Sequence, residues 1–582
     1  MSNIPFVFLD SAVTDAQNKN SYLFANPVEI LTAYTTSEVK LIFEKIDQLS
    51  NKFWIAGFIS YETLYAFHPK IKHKKISATP LLWLGVFKTP KKYNPNITTN
   101  LLNSTKFELS NDISFNEYNR TFSKIKKYLF NGYTYQVNYT FDCILKTNLN
   151  GLTLYQHLRQ KQPTAYCAYI DTGKNQIMSF SPELFFRREN RIITAKPMKG
   201  TISRGRSFAD DKQAKNILTN DIKNRAENLM IVDLLRNDLG KICDTGTVKV
   251  KNMFKLESHP TLHQMTSTIE GCLKRKIRYH DIFASLFPCG SVTGAPKLKT
   301  MQIIQKIENG QRGVYCGAIG YISPKNKAVF NVPIRTLEKN NSQQNWKLRV
   351  GSGIVWDSDP KKEWEECLLK SSFVVNTKLS KFEIFETIRI KNKKFTYLSN
   401  HLRRLRASCE YFKYPYSTQK INAIIKNMTA NIDNGLCAVR IIINADGCIN
   451  WDKRSISDTI SSAKIVIAEQ RLDRNNIFLF HKTTYRPWYS ALFNSDKTEI
   501  FDYIFLNEYD EVCEGSRTNI FAQINGKLYT PPITCGLLPG ILRQRLIQQG
   551  KCKERILTLK DLKKAKAIYC GNSVRGLVKV KL

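Results

Sequence analysis

The run Asp221-Ile-Lys-Asn-Arg-Ala-Glu-Asn-Leu-Met-Ile-Val-Asp-Leu-Leu-Arg-Asn-Asp238 decides how the first half of this chain is read. Asn224, Glu227, Ile231 and Leu234 fall on one face of a helix, which sets Glu227 among apolar neighbours and leaves its carboxylate in need of a partner. The pattern predicts one long helix from about Ala209 to Leu239. A second stretch, Glu363-Trp-Glu-Glu-Cys-Leu-Leu-Lys370, places Glu363, Glu366 and Lys370 on a single helical stripe. Taken singly, each helix is explained by exposed i,i+4 salt bridges. Taken together, two helices that each offer a carboxylate to a common space suit Mg²⁺, a hard ion that takes oxygen ligands and keeps waters.

Two glycine-framed loops lie between these helices: Phe287-Pro-Cys-Gly-Ser-Val-Thr-Gly-Ala-Pro-Lys297, which contains Thr293, and Gly351-Ser-Gly-Ile-Val-Trp-Asp-Ser-Asp-Pro360. Their glycines let backbone N–H groups approach an anion. Around them stand Ser181-Pro-Glu-Leu-Phe185, Lys196-Pro-Met-Lys-Gly-Thr201, Tyr315-Cys-Gly-Ala-Ile-Gly-Tyr321 and Ile334-Arg-Thr336. One at a time these are ordinary turns, and Lys199 alone is a solvated turn lysine.

Outward from this core, the 582-residue length calls for two to four domains, and a chain that is 42% hydrophobic and 11% aromatic is globular. No stretch approaches the length of a membrane span, and no small-residue cleavage site follows the apolar run Ile4 to Leu9, so a cytoplasmic protein with no membrane partner is expected. The 14 cysteines include no C-x-x-C pair and read as reduced thiols in the core. Cys289, Cys316 and Cys570 each precede a glycine but sit in no nucleophile context, so a thiol-dependent glutaminase is not expected. The net charge of +39 invites a nucleic-acid reading. It is spread over both halves as isolated Lys-Lys pairs rather than as a stripe interleaved with aromatics, so no nucleic-acid partner is expected.

Ser114 and Glu117 form a capping box opening a helix with apolar face Tyr118, Phe122, Ile125 and Leu129, closed near Gly132. Strand-like runs at Tyr166 to Asp171, Gln176 to Phe180 and Arg191 to Ala195 alternate with polar turns. The Pro- and Asn-rich stretch from Thr89 to Asn111 reads as an exposed connection. Near residue 377 the pattern changes character, and a new strand begins at Phe382. The expected organisation is a first domain at 1–376, with an N-terminal subdomain at 1–112 and a core at 113–376, a short linker at 377–382, and a second domain at 383–582.

With these motifs in order, residues from about 50 to 376 resemble the chorismate-utilising enzymes, which include anthranilate, aminodeoxychorismate, isochorismate and salicylate synthases. The resemblance implies an α+β fold, an anthranilate-synthase-like two-layer β-sandwich with surrounding helices. It implies that Glu227 and Glu366 hold Mg²⁺, supported by Glu363, and that the ion binds a chorismate carboxylate and assists loss of the C4 hydroxyl. Arg335 and Tyr315 would clamp the other carboxylate with the amides of Gly351 and Gly353, while His263 and Thr293 complete the substrate site. Glu183 would protonate the departing hydroxyl. Members that add water to the ring carry a lysine base where this chain has Gln136. Anthranilate synthases usually have Ala at the place of Lys199, and aminodeoxychorismate synthases have Lys, whose amine attacks C2 before ammonia adds at C4. Asn224 departs from the family's usual acidic residue three places before Glu227. The ammonia is expected from a separate glutamine amidotransferase subunit, or from free ammonia.

The second half offers Phe385-Glu-Thr-Ile-Arg389, His401-Leu-Arg-Arg-Leu405, His481-Lys-Thr-Thr-Tyr-Arg486, Glu514-Gly-Ser-Arg-Thr-Asn-Ile-Phe521, Gly536-Leu-Leu-Pro-Gly-Ile-Leu-Arg543 and Gly571-Asn-Ser-Val-Arg-Gly576. A lysine after a strand, a later acid and glycine-bearing turns suited to phosphate make up this set. In that order they resemble the fold-type-IV pyridoxal-phosphate proteins, which include branched-chain and D-amino-acid aminotransferases and aminodeoxychorismate lyase. The resemblance implies an α/β module of two subdomains, a homodimer, Lys482 as the cofactor-bonding lysine and Glu514 as partner of the pyridine nitrogen. Arg404, the Gly540 and Ile541 backbone, Asn572 and Ser573 would hold the phosphate. Most of the family's N-terminal strand and its Gly-Asp-Gly turn are lacking. The combined expectation is a bifunctional enzyme making 4-aminobenzoate, a folate precursor, from chorismate. The alternative is an anthranilate synthase fused to a D-amino-acid or branched-chain aminotransferase.

Overall fold

The computed structural model describes residues 4–13, 18–71, 79–93, 107–258, 262–375, 382–456, 463–489 and 500–582. The stretch from Thr377 to Lys381 lies outside the described residues. Two compact units make up the chain: Met1–Ile202 with Ile217–Lys378, and Ser203–Asn216 with Leu379–Leu582.

Two ten-stranded sheets face each other in the first unit. One runs Gly294–Ala295, Gln136–Lys146, Trp346–Ile354, Thr336–Asn340, Asn175–Ser181, Tyr166–Asp171, Phe6–Asp10, Tyr22–Ala25, Lys91–Lys92, with Glu108–Asn111 branching from Gln136–Lys146. The other runs Met198–Ser203, Leu262–Cys272, Ile192–Lys196, Leu184–Glu189, Lys327–Asn331, Ala318–Ser323, Trp54–Ile59, Leu82–Phe87, Glu29–Ala33, with Lys249–Ser258 branching from Leu262–Cys272.

Period-two alternation builds the layers. Val7, Ala168, Ile170 and Ile177 of the first sheet meet Ala56, Phe58, Trp83 and Ile319 of the second in one buried cluster. Their strand neighbours point the other way. Phe8, Cys167, Tyr169 and Met178 pack with Tyr118, Phe122 and Ile125 of the helix Phe115–Phe130. Ile55, Ile59, Leu82 and Leu84 pack with Ile231, Val232 and Leu235 of the helix Ile222–Ile242. This is the expected α+β sandwich with helices outside, and the Ser114–Glu117 capping box is formed.

Three local expectations change. The single helix from Ala209 to Leu239 is two, Phe208–Asn220 and Ile222–Ile242. Asp221 breaks it by leaving helical geometry at ψ 112° and accepting the Asn224 N–H at 2.7 Å as an N-cap. The ends of the 89–111 connection are paired: Lys91–Lys92 with Tyr22–Leu23, and Glu108–Asn111 with Cys143–Lys146. Ser203–Asn216 groups with the second unit, because Arg204 pairs with Asp211 at 2.5 Å and donates to the Tyr411 carbonyl at 3.0 Å, while Tyr411 Oη donates to the Gly205 carbonyl at 2.8 Å.

Within the second unit an antiparallel sheet, Lys394–Phe395, Ile384–Lys391, Leu436–Ile443, Ile449–Ser455, shares its core with the helices Leu398–Phe412 and Thr418–Asn431. Two further sheets follow. Lys464–Leu472, Ile500–Asn507 and Val512–Gly515 form one, and Lys553–Glu554, Lys527–Thr530, Asn519–Ile524, Ala567–Asn572 and Gly576–Val580 the other. Ile465, Ile504 and Val512 of the former pack with Ile520, Ala522 and Ile568 of the latter, giving a second subdomain. Among the described residues no helix is long and apolar enough to cross a membrane.

Candidate active sites

The first site is organised by the strand Gln136–Lys146 and what leans on it. Gly353 pairs with Asn138 and Gly351 with Thr140. A Cβ at Gly351 would stand 2.5 Å from the Tyr139 carbonyl oxygen, and one at Gly353 would stand 2.9 Å from Gln136 Nε2 and 3.0 Å from Lys199 Nζ. Backbone therefore bars any side chain at Gly351, while the Lys199 amine and the Gln136 amide both face the space beside Gly353. Gln136 is fully buried, and neither polar atom of its side chain has a hydrogen-bond partner among the described residues. Such a pair of orphaned atoms costs several kcal/mol unless something polar fills the space, on the order of 1–3 kcal/mol per group. Gly200, at φ +82°, lets Asn224 pack directly beside Lys199.

The loop 288–294 is clamped onto the same strand. Asn138 N donates to the Thr293 carbonyl at 2.8 Å, and Thr293 Oγ1 donates back to the Cys289 carbonyl at 3.0 Å. Buried Arg312 ties loop and strand together, donating to the Val292 carbonyl at 2.8 Å and the Asn138 carbonyl at 2.7 Å while paired with Glu308 at 2.7 Å. This holds Ser291 so that its hydroxyl donates to Glu183 Oε1 at 2.7 Å. Ser291 is a support that its place in a quoted loop did not reveal. Burial pushes the Glu183 carboxyl up to about 7 against the opposing pull of Ser291 and Lys199.

Three carboxylates lie within electrostatic reach of one another. Burial raises Glu227, which Lys199 and Lys223 oppose and Glu363 and Glu366 reinforce. Lys370, 2.6 Å away, holds Glu366 below its usual range. Glu363 accepts the Ser358 hydroxyl at 2.7 Å. Glu227 makes no hydrogen bond or ion pair among the described residues. No group of three or more His, Cys, Asp or Glu able to share a metal is present among the described residues. Mg²⁺ is commonly held by one or two carboxylates with water and substrate oxygens filling the rest, so an unpaired carboxylate facing a second one fits it.

Arg335 forms no ion pair among the described residues. Its Nη1 is buried with no hydrogen-bond partner among them, burial lowers the guanidinium to about 10, and its backbone lies at φ +54°. A non-glycine residue there costs of order 1–3 kcal/mol, the kind of strain that clusters where a side chain must be aimed. Tyr315 is buried, and its N–H donates to Glu338 Oε1 at 3.0 Å. His263 is fully buried on the strand beside that of Lys199, with Nδ1 2.9 Å from Ser258 Oγ.

In the second unit, Phe385 N donates to the Lys482 carbonyl at 3.0 Å, seating the lysine along the strand Ile384–Lys391. Its Nζ lies 4.8 Å from the Phe385 ring centroid and has no carboxylate partner among the described residues. Burial lowers Lys482 to about 7, with Arg486 and Arg404 adding to the effect. Glu514 accepts Tyr489 Oη at 2.8 Å and Leu538 N at 3.0 Å, and burial pushes it up to about 7. Tyr489 carried no signal in the sequence.

Glu386 grips Arg404 through Nε at 2.6 Å and Nη2 at 2.8 Å, and His401 Nδ1 lies 2.7 Å from the same carboxylate. Removing one partner of so buried a pair costs about 3–5 kcal/mol. Arg404 Nη1 donates to the Pro539 carbonyl at 3.1 Å, next to Gly540, which opens the helix Ile541–Gln548. A Cβ on Gly540 would lie 1.8 Å from Asn519 Oδ1, so only glycine fits. Asn572 Oδ1 accepts the N–H groups of Val574 and Arg575 at 3.0 and 2.9 Å, fixing the turn that contains Ser573. An unpaired buried lysine, a carboxyl in a low-dielectric pocket and a glycine-opened helix N-terminus form a donor set that fits pyridoxal phosphate.

Comparisons with known proteins match one family to each half of the chain. The model for chorismate binding enzymes matches residues 8–376, and the model for amino-transferase class IV matches residues 383–582, a fold class that implies pyridoxal phosphate. A chloroplastic aminodeoxychorismate synthase of Arabidopsis thaliana is 39% identical over 269 residues, 46% of this chain and 29% of that protein. Anthranilate synthase component 1 of Neisseria gonorrhoeae is also 39% identical, over 43% of this chain and 51% of that protein. The chain thus spans between about three tenths and half the length of these relatives. The crystal structure of anthranilate synthase component I from Streptococcus pneumoniae shares the fold, with a TM-score of 0.54 and 23% identity over 62% of this chain and 94% of that one. The chain is a member of the chorismate binding enzymes that carries, in the same polypeptide, an amino-transferase class IV domain.

Proposed function

We propose that the first unit converts chorismate and ammonia into 4-amino-4-deoxychorismate, and that the second removes pyruvate from this product to give 4-aminobenzoate. Overall identity does not choose between the two synthase names, which stand at the same 39%. The observation that carries the choice is Lys199, whose amine faces the space beside Gly353, as does the Gln136 amide, and acts electrostatically on both Glu183 and Glu227.

At that position the Lys199 nitrogen attacks C2 of the ring. The ring double bond shifts, and the C4 hydroxyl leaves as water with the proton that Glu183 holds. Ammonia adds at C4, the C2–N bond breaks, and Lys199 is restored. An amide at Gln136 cannot take a proton from water, so hydroxyl transfer to C2 is disfavoured. Arg335 binds a substrate carboxylate through its unpaired edge, with Tyr315, His263 and Thr293 bounding the site. Glu227 and Glu366 would hold Mg²⁺, which supplies Lewis-acid polarisation of oxygen. Ammonia comes from a separate glutamine amidotransferase subunit.

In the second unit, pyridoxal phosphate supplies an electron sink for carbanion chemistry when bound. Lys482, being near neutrality in its proton affinity, can hold the cofactor and take the proton from C4. Glu514 would partner the pyridine nitrogen, and Arg404 with the backbone at Gly540 and Ile541 and the Asn572–Ser573 turn would receive the phosphate. Loss of the C4 proton and cleavage of the ring C–O bond aromatise the ring and release pyruvate.

The test is incubation of the chain with chorismate, an ammonium salt, Mg²⁺ and pyridoxal phosphate, followed by product identification. The expected aromatic product is 4-aminobenzoate; the ortho isomer would favour the anthranilate reading instead. The acid role of Glu183 carries its own check. Because the protonated carboxyl is the active form, kcat for the first step should fall about tenfold per pH unit above pH 7. Glu183→Gln should lower kcat by about 10²–10⁴-fold and remove that limb of the profile. An unchanged profile would exclude Glu183 as the acid.

A further inference from the structure

Around Lys482 the cations outnumber the carboxylates free to meet them. Thr387 and Arg440 are paired across the strands Ile384–Lys391 and Leu436–Ile443, so Arg440 and Phe385 are diagonal neighbours on the face opposite the buried Ile384, Glu386 and Ile388. The Arg440 guanidinium carbon lies 4.1 Å from the Phe385 ring centroid, Lys482 Nζ 4.8 Å and the Arg486 guanidinium carbon 5.5 Å. Three cationic groups thus gather at one ring, and a ring face compensates them only partly.

Of the nearby carboxylates, Glu383 acts on Arg440 electrostatically but forms no ion pair among the described residues, and the others are engaged elsewhere. Glu386 is taken by Arg404 and His401, and Glu514 by Tyr489 and Leu538 N. Asp452, opposite Arg440 in the sheet, is paired with Arg454 at 3.2 Å. Arg440 and Arg486 form no ion pair among the described residues. Arg440 Nε is buried without a hydrogen-bond partner, and Arg486 donates from Nε to the Thr483 carbonyl at 2.9 Å, leaving its remaining N–H groups available. Burial and the other arginines lower the proton affinity of Arg440, as expected for a guanidinium without its anion.

We infer that Arg440 and Arg486 form a two-point anion site that selects, for Lys482, amines bearing two separated carboxylates. The inference rests on the reading of Lys482 as the lysine that bonds the cofactor. A guanidinium receives a carboxylate through paired N–H donors, and two of them on different elements can each receive one carboxylate of a ligand that carries two. 4-Amino-4-deoxychorismate is such a compound, with one carboxylate on the ring and one on the enolpyruvyl arm. A neutral branched-chain amino acid, with a single carboxylate, leaves one arginine unmatched. The pair therefore discriminates dicarboxylate amines from neutral monocarboxylate ones.

The experiment uses the full chain loaded with pyridoxal phosphate, reading the absorbance of the bound cofactor so that ligand binding at the first unit is silent. The probes are 3-(1-carboxyvinyloxy)benzoate, with two carboxylates and no amine, and 3-methoxybenzoate, with one carboxylate. The dicarboxylate should bind about tenfold or more tightly. Arg440→Gln and Arg486→Gln should each bring the two probes to within about twofold while the cofactor stays bound, and Arg→Lys at either position should restore part of the difference. Equal affinities in the unaltered protein would overturn the inference whether or not any variant folds. So would a full dicarboxylate advantage in variants that retain the cofactor. Failure of the lyase reading looks different: no pyruvate is released from 4-amino-4-deoxychorismate although the dicarboxylate advantage persists.

Discussion

Lys482→Ala is expected to abolish the visible absorbance of protein-bound pyridoxal phosphate and to stop 4-aminobenzoate formation, with 4-amino-4-deoxychorismate accumulating from chorismate and ammonia. In the proposed reaction the lysine does two things no neighbour can replace. It would form the covalent bond to the cofactor, and it is the amine whose proton affinity burial has brought down to about 7. Arg404 and Arg486 are cations that cannot act as bases at any accessible pH. Glu514 is held by Tyr489 and Leu538 N, facing a different task. Loss of a group that is both nucleophile and base typically costs 10⁴-fold or more, so residual product should fall below detection. The rate of 4-amino-4-deoxychorismate formation should change by less than about twofold, since its machinery lies in the first unit. Undiminished 4-aminobenzoate would remove the second unit from the pathway. Absorbance lost together with the first activity would mean global damage, and Lys482→Arg, which keeps charge and bulk but cannot bond the cofactor, then supplies the decisive comparison.

The elements that carry both sites were legible because their signals are local. The Ser114–Glu117 capping box, the strand-like run Tyr166–Asp171 and the Glu363–Lys370 stripe each depend on residues close together in the chain, and each element forms as its pattern predicts. The exception among local signals is Asp221. A helical periodicity running from Ala209 to Leu239 conceals a residue that serves equally as helix interior or as N-cap, and its side chain settles the matter by capturing the Asn224 N–H. What could not be read was every contact made across the sandwich. Ser291 reaches Glu183 over a separation of 108 residues, and Arg312 reaches the Asn138 carbonyl over 174. Tyr489 meets Glu514 only because the strand Val512–Gly515 returns beside it. Nor does any pattern mark Ser203–Asn216 as part of the second unit; that follows from the Arg204 and Tyr411 hydrogen bonds.

The two units use the same physical device for opposite ends. In the first, burial keeps a carboxyl, Glu183, protonated near neutral pH so that it can donate. In the second, burial keeps an ammonium, Lys482, from holding its proton so that it can accept. Both shifts arise from desolvation of the charged form, which acts in opposite directions on acids and bases. Each is checked by the other charges present. Lys199 pulls Glu183 down, and Glu386 and Glu514 pull Lys482 up, which leaves both close to the pH at which proton transfer is most effective.

Lys199→Ala is expected to reduce 4-amino-4-deoxychorismate formation by about 10³-fold or more and to shift what remains toward amination at C2, detected as anthranilate. A Cβ at Gly353 would crowd both the Lys199 amine and the Gln136 amide, and of these two nitrogens only the lysine amine is a nucleophile. With alanine the space opens, and ammonia itself can reach C2. Attack there ends at the ortho amine instead of returning to C4. Glu183, Glu227, Glu366 and Arg335 are untouched by the change, so chorismate should still bind with a KM within a few-fold of its original value, and the loss should fall on kcat. That split separates a nucleophile from a residue that merely packs, since a packing defect at this crowded point would also disturb Asn224 against Gly200 and raise KM. Lys199→Met, which keeps length without the amine, should behave as alanine does in rate while leaving C2 blocked, giving little of either isomer. Retention of the para product at the original rate in both variants would eliminate the covalent route and leave ammonia attacking C4 directly.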